Sequence, residues 1–107
     1  MSKKVTKKSK DKHVIVRAGG MGVFAGILDD SSTETVKVVR NARRLWRWYG
    51  AASLSQLSVE GTSKPADCKF PCEVERVELT SPTYGFEVLL LTEKARASIA
   101  SVAVWKA

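Results

Sequence analysis

The sequence predicts an α+β domain, built on a small, mostly antiparallel curved sheet or partly open barrel, with two short helices. Three observations predict this class. Short β-branched runs recur between glycine-rich or polar turns, which is typical of antiparallel strands. Two segments carry helix-capping signals. The chain has 107 residues, enough for one modest hydrophobic core, and shows no internal repeat.

The first half of the chain reads as a meander of three strands. Residues 13–18 and 23–28 are apolar, β-branched runs separated by a glycine-rich connection at residues 19–22, which predicts a hairpin. A polar turn follows at residues 29–33. Residues 34–40 then alternate well enough to form a third strand, with Val36 and Val38 on one face.

The middle of the chain predicts a short helix and an edge strand. Residues 51–61 carry a capping box, Ser53 with Gln56, and Gly61 supplies a C-terminal stop. Residues 70–79 leave neither face purely apolar, and Pro71 suits an edge position. We therefore expect this segment to lie at the edge of the sheet.

The last third predicts two strands around a second helix. After a turn at residues 81–83, the apolar run at residues 84–91 predicts the most buried strand of the second half. Thr92 can cap a helix over residues 93–100. Residues 101–106 close the chain as a last strand, which brings the prediction to about six strands and two short helices.

Charge divides the chain into a flexible basic arm, residues 1–12, and a single domain, residues 13–107. The net charge of +7 is concentrated in the N-terminal half. The arm has too few apolar residues to order itself. It predicts either a solubilising tail or non-specific phosphate contacts; its lysines are Lys3, Lys4, Lys7, Lys8, Lys10 and Lys12.

Residues 40–50 concentrate four arginines and three aromatic side chains. Guanidinium groups bind phosphate oxygens two at a time, and indole or phenol rings stack on bases. The aromatic density favours a strand over residues 44–49, although a helix with an apolar stripe is the alternative. The aromatics could equally be core residues. The candidate ligand-binding residues are Arg40, Arg43, Arg44, Trp46, Arg47 and Trp48.

Signals for catalysis, metals and membranes are weak or missing in the sequence. His13 is the only histidine, so no Ser/Cys–His pair or metal-ligand set is evident. Cys68 and Cys72 read as two reduced thiols. No apolar run approaches the roughly 18 residues of a membrane span. We therefore expect a non-enzymatic protein with no cofactor and no membrane association.

A further pattern lies in residues 16–17 with 22–28, in residues 41–48 with 50–54, and in the closing segments 91–95 and 102–105. These segments resemble an uncharacterised family of small tailed-bacteriophage accessory proteins. The resemblance implies a phage protein that works in the cytoplasm of the infected bacterial host. It implies no activity and no functional residues.

The leading hypothesis is a binder of a phosphate-bearing ligand, either nucleic acid or a nucleotide, including sequestration of a host defence-signalling nucleotide. Arg43, Arg44 and Arg47 would hold phosphates, and Trp46 or Trp48 would stack on a base. The alternative is a protein–protein inhibitor of an acidic host factor, or a minor virion or assembly protein, because arginine and tryptophan are also enriched in protein interfaces. Homo-oligomerisation that buries Trp105 is a further expectation.

Overall fold

A computed structural model describes residues 11–80, 83 and 85–106. In chain order the elements are β1 (Lys12–Ala18), β2 (Gly22–Leu28), β3 (Val36–Arg44), α1 (Leu54–Glu60), a 3-10 turn (Pro65–Asp67), β4 (Glu73–Thr80), β5 (Phe86–Leu90) and α2 (Glu93–Ser101). Within those residues neither helix has the length and apolarity that crossing a bilayer would require.

The five strands form one open sheet in the order β4-β3-β2-β1-β5, with antiparallel neighbours throughout. A flat sheet would hold β3 and β5 about 14 Å apart, since neighbouring strands are spaced by roughly 4.8 Å. The Nζ atom of Lys37 in β3 nevertheless lies 5.4 Å from the ring centre of Phe86 in β5. The sheet therefore curls, and the predicted α+β class with a curved antiparallel sheet and two short helices is confirmed.

Alternating side chains give the sheet an apolar layer on each face. The concave face carries one cluster: Val14, Val16, Ala18, Phe24, Val39, Ala42 and Leu79. The opposite face, which we call the helix-covered face, packs against α1 and α2. The cluster between sheet and helices includes Ile15, Ala25, Leu45 and Phe70 together with the helix residues Leu54, Leu57 and Ile99. Burying each large side chain contributes about 1.5–3 kcal/mol, so both faces contribute to stability.

Both helices begin at predicted capping residues, and α1 also ends at one. In α1 the Ser53 hydroxyl accepts a hydrogen bond from the Gln56 amide at 3.2 Å. Gly61 ends this helix at φ 78° and donates its N–H to the Leu57 carbonyl, a conformation that other residues adopt at a cost. In α2 the Thr92 hydroxyl accepts from the Ala95 amide at 3.0 Å. The predicted capping residues are confirmed.

Three predicted strands differ from the structure. β3 extends to Arg44 and residues 44–49 do not form a separate strand. α2 continues to Ser101, and the predicted last strand is reduced to an isolated bridge between Val104 and Phe70.

The third difference concerns β5, which is an edge strand rather than a buried one, because it pairs with β1 alone and leaves Leu90 67% exposed. By contrast, the edge position predicted for the segment that forms β4 is confirmed. In the predicted turn at residues 81–83, residues 81 and 82 lie outside the described part of the chain, as does residue 84.

Candidate functional site

A β-bulge in β3 decides which way the clustered arginines face. Ile27 pairs with Arg40, whereas Ala25 pairs with Arg43, so β3 carries one extra residue between the two pairs. Asn41 lies in this interval with a φ of 50°, a left-handed conformation that asparagine tolerates. The bulge places Arg40 and Arg43 together on the helix-covered face, and it turns Arg44 to the other face.

Gly26 allows the bulge to approach β2 closely. A Cβ atom at this position would lie 2.7 Å from the Arg40 carbonyl oxygen and 2.7 Å from a Val39 methyl carbon. Both separations are shorter than van der Waals contact allows, and one of them is to backbone. Any larger residue at position 26 would therefore have to displace β3, which makes this glycine part of the mechanism that orients the arginines.

Arg40 is engaged with the protein's own carboxylates. Its Nε atom lies 2.8 Å from an Asp29 oxygen, and an Nη atom lies 3.6 Å from Asp11. Hydrogen bonds from Ser31, and to a smaller extent from Arg40, lower the pKa of Asp29 below its ordinary value. Asp29 is therefore ionised near neutral pH and holds the Arg40 side chain in the middle of β3.

Arg43 is buried, with 8% of its surface exposed. Its guanidinium donates to four backbone carbonyls, those of Pro71 at 3.0 Å, Ile99 at 2.9 Å, Phe70 at 3.1 Å and Val102 at 2.7 Å. Two of these carbonyls lie at the C-terminal end of α2, where helices leave acceptors unsatisfied and favour a positive charge. Arg43 therefore ties β3, the segment before β4 and the end of α2 together.

Arg44 is exposed on the opposite side of the sheet. Its guanidinium carbon lies 4.4 Å from the ring centre of Phe24, and Nη1 donates to the Met21 carbonyl at 3.1 Å. The structure therefore does not bring Arg40, Arg43 and Arg44 onto one surface. Arg43 is buried among backbone carbonyls rather than exposed, and ligand contacts by all three arginines stay a prediction.

The segment after β3 separates the two predicted tryptophans. Leu45 is buried in the helix-covered core and Trp48 packs against that core partly buried. Trp46 points away from it and is 48% exposed. The two aromatics that sequence reasoning treated together thus have different environments, and only Trp46 is largely exposed to solvent.

A second tryptophan from the end of the chain meets Trp46. The backbone of Arg47 bridges to Lys69, and the Trp105 amide donates to the Phe70 carbonyl at 3.0 Å. Residues 69–70 therefore lie between the two tryptophan-bearing segments. The rings of Trp46 and Trp105 stack with centroids 4.9 Å apart and an interplanar angle of 24°.

Two cations accompany this stacked pair. The guanidinium carbon of Arg47 lies 5.1 Å from the Trp46 ring centre, and the Lys69 Nζ atom lies 5.6 Å from that of Trp105. Within the described chain neither cation has a carboxylate oxygen within 4.0 Å. We call Trp46, Arg47, Lys69 and Trp105 the indole platform.

Sequence reasoning included Trp46 and Arg47 in the site but missed Lys69 and Trp105. Both lie far from residues 40–50 in sequence, and only the bridges at residues 47, 69, 70 and 104 bring them close. The one signal available was that Trp105 is a large aromatic beside Lys106 near the end of the chain. Nothing in its local pattern pointed to Trp46 as its partner.

Of the predicted basic arm, the structure describes only the last two residues. Lys12 is exposed and begins β1, while Lys3, Lys4, Lys7, Lys8 and Lys10 lie outside the described residues. Phosphate contacts by these lysines stay a prediction. Cys68 is buried and Cys72 exposed, and both are free. In the described ranges, no group of three His, Cys, Asp or Glu side chains is placed to hold a metal ion.

Comparison with known proteins places most of the chain in one family. A family model described as a domain of unknown function (DUF6948) matches residues 11–99. Neither the curated proteins nor the solved structures contain a match to the chain. The family match carries no activity, ligand or source, so the phage origin implied by the earlier resemblance stays a prediction.

Proposed function

Because the chain belongs to the DUF6948 family, whose function is unknown, we propose from its surface chemistry that it binds single-stranded nucleic acid without catalysis. The observation that carries this proposal is the indole platform, in which the exposed Trp46 stacks on the half-buried Trp105. Two cations lie against these rings and have no carboxylate oxygen within 4.0 Å among the described residues.

The exposed rings supply the sequence-independent part of binding. Stacking of a base on an aromatic side chain contributes about 1–3 kcal/mol, whichever base it is. Trp46 is 48% exposed, and Tyr49 on the same segment is 45% exposed. Large aromatic side chains are usually withdrawn from water, so the exposure of two of them within one four-residue segment favours a surface that contacts a ligand.

The cations supply the phosphate contacts. Arg47 and Lys69 lie against the rings, and Lys106 follows Trp105 directly in sequence. A nucleic-acid strand whose bases stack on the indoles would bring its phosphates within reach of these three cations. Guanidinium planes also stack on bases. The lysines of the N-terminal arm would extend the contact along a polymer, with an affinity that falls steeply with salt.

The biological setting proposed with this activity is that of a phage accessory protein in the cytoplasm of an infected bacterium. It rests on the resemblance of the sequence segments alone. A phage protein that binds single strands could act on nucleic acid during infection, and a nucleotide bound at the same platform would make it an antagonist of nucleotide signalling.

Fluorescence anisotropy with a labelled oligothymidylate of about twenty nucleotides tests the proposal. We expect saturable binding at 50 mM salt that weakens strongly by 200 mM. Trp46→Ala should weaken binding about 5- to 150-fold, which corresponds to the loss of one stacked base. The matched control is Leu90→Ala, which removes an exposed apolar side chain from the β5 edge and should leave the affinity unchanged.

The charged part of the platform is tested by a second pair of variants. Arg47→Gln should make the plot of log affinity against log salt concentration less steep. The slope should change by about the contribution of one phosphate contact. Lys94→Gln removes the same charge from the exposed surface of α2 and should alter neither affinity nor salt dependence beyond a small general effect.

Three outcomes would overturn the proposal. The first is no binding of the oligonucleotide at 50 mM salt. The second is binding that survives Trp46→Ala but disappears when residues 1–10 are removed, which would assign it to the arm alone. The third is equal affinity for thymidine monophosphate and the oligonucleotide, which would make the ligand a nucleotide.

A further inference from the structure

A cavity of about 520 Å³ opens between α2 and the helix-covered face of the sheet. It is separate from the indole platform, because none of the four platform residues lines it. Its apolar wall includes Ile27, Leu91 and Val104, and its polar lining includes His13, Asn41, Arg43, Glu73 and Arg96. Small-molecule sites typically have this volume and this combination of an apolar wall with a few convergent polar groups.

The floor of this cavity carries a buried positive charge. Arg43 is more than nine-tenths buried, and all four of its hydrogen bonds go to neutral carbonyls. No carboxylate oxygen of the described residues lies within 4.0 Å of its guanidinium. The four bonds use one Nε, one Nη1 and two Nη2 hydrogens, which leaves one Nη1 hydrogen for a further acceptor.

Other polar groups around the cavity favour an anion over a cation. Arg96 lines the cavity, and its partner Glu93 is an exposed neighbour on the same helix turn, an ion pair that contributes little. Glu73 is the one carboxylate among the lining residues, and it is exposed and accepts a long hydrogen bond of 3.4 Å from Asn41. Cations therefore outnumber anions among the lining residues, and no carboxylate oxygen of the described residues lies within 4.0 Å of the buried guanidinium.

His13 adds a neutral hydrogen-bonding group to the cavity. Burial, and then the nearby Arg96, lowers the pKa of His13 below its ordinary value. At neutral pH the ring is therefore uncharged, with one nitrogen that donates and one that accepts. Its position opposite Ile27 in the β1–β2 pairing places this group beside the apolar wall.

We propose that this cavity binds a small organic anion, with its anionic head directed to Arg43 and its apolar body against Ile27, Leu91 and Val104. The head is a carboxylate or a phosphate monoester, since both accept hydrogen bonds from a guanidinium. The proposal is independent of nucleic-acid binding at the indole platform and uses no platform residue.

A titration of the full-length ¹⁵N-labelled protein, followed by amide chemical shifts, tests the proposal with three ligands of the same chain length. Sodium octanoate and octyl phosphate carry the anionic head, and octanamide is the neutral control. We expect saturable shifts at residues lining the cavity for at least one of the anions, with an affinity about tenfold or more above that of octanamide. Comparison of octanoate with octyl phosphate identifies the preferred head.

Two matched variants on α2 locate the site without disturbing Arg43. Ala100 lines the cavity and Ala97 does not, and both are exposed. Ala100→Trp should fill the cavity and reduce octanoate or octyl phosphate affinity at least tenfold, while Ala97→Trp should leave it unchanged. The oligonucleotide affinity of both variants should match that of the unmodified protein.

The proposal is overturned if octanamide binds as tightly as both anions, if the shifts fail to saturate, or if they map to residues outside the cavity. It is equally overturned if Ala100→Trp and Ala97→Trp bind the anions alike. None of these results bears on the indole platform, so failure here is distinguishable from failure of the proposed nucleic-acid binding.

Discussion

Replacing Arg43 with methionine tests whether a buried guanidinium holds the helix-covered face together. The change removes four hydrogen bonds and keeps an unbranched side chain of similar length. After the change, the Phe70 carbonyl still accepts from the Trp105 amide, and the Ile99 carbonyl still accepts from the Val102 amide. Within the described residues the carbonyls of Pro71 and Val102 retain no donor, so two acceptors lose their only partner.

These contacts set the expected magnitude. Leaving a buried acceptor without a donor costs about 1–3 kcal/mol, and the loss of a second hydrogen bond costs about 0.5–1.5 kcal/mol. Methionine also removes the cost of burying the charged guanidinium, which offsets several kcal/mol of that total. We therefore expect Arg43→Met to lower the free energy of unfolding by about 2–4 kcal/mol, and the melting temperature by about 10–20 °C.

Urea denaturation followed by circular dichroism measures this difference. The matched control is Arg44→Met at the next position, where the guanidinium is exposed and makes one hydrogen bond; it should cost less than about 1 kcal/mol. Arg43→Lys should fall between the two, because an ammonium cannot reach four separate carbonyls. If Arg43→Met and Arg44→Met differ by less than about 1 kcal/mol, the structural role assigned to Arg43 is wrong.

Three further predictions concern the core, the bulge and the response to acid. Leu57→Ala removes a fully buried side chain and should lower the free energy of unfolding by about 2–5 kcal/mol, whereas Ser55→Ala on the exposed face of α1 should cost less than about 0.5 kcal/mol; urea denaturation distinguishes them. Asn41→Val forces a β-branched residue to φ 50° and should cost about 1–2 kcal/mol, whereas Asn41→Gly should melt within a few degrees of the unmodified protein. The pKa of His13 is lowered in the folded state by burial and then by Arg96, against Asp11 and Glu93, so stability conferred by its neutral form should decline as pH falls from about 6.5 towards the folded pKa; His13→Gln should remove that part of the pH profile of unfolding.

The elements predicted correctly from sequence are those whose signals are local. Ser53, Gly61 and Thr92 each determine a helix end through hydrogen bonds made within a few residues, so their residue types suffice. The hairpin of β1 and β2 follows for the same reason, since its glycine-rich connection lies between two β-branched runs.

The candidate site could be predicted only in part because its geometry depends on the bulge and on distant contacts. Strict alternation along β3 places Arg40 and Arg43 on opposite faces, and the extra residue at Asn41 reverses this. The burial of Arg43 depends on carbonyls more than twenty residues away. Likewise, the partner of Trp46 is Trp105, a pairing that no local pattern encodes.

Apolar composition was also an incomplete guide to burial. The run that forms β5 is rich in leucine, which predicts the most buried strand of the second half, yet β5 is an edge strand that pairs with β1 alone. Leu89 packs against the helix-covered core whereas Leu90 is 67% exposed. Position in the sheet depends on pairing with distant segments of the chain, and hydrophobicity within one segment does not contain that information.

The order of strands in the sheet has a consequence for how the chain folds. β1 pairs with β2 across a short turn, but it also pairs with β5, where Val14 lies opposite Leu90. Contacts between residues so far apart along the chain must overcome a larger loop-closure entropy and are associated with slower folding. The meander of β1 to β3 can therefore assemble from local contacts, while the docking of β5 waits for nearly the whole domain to be synthesised.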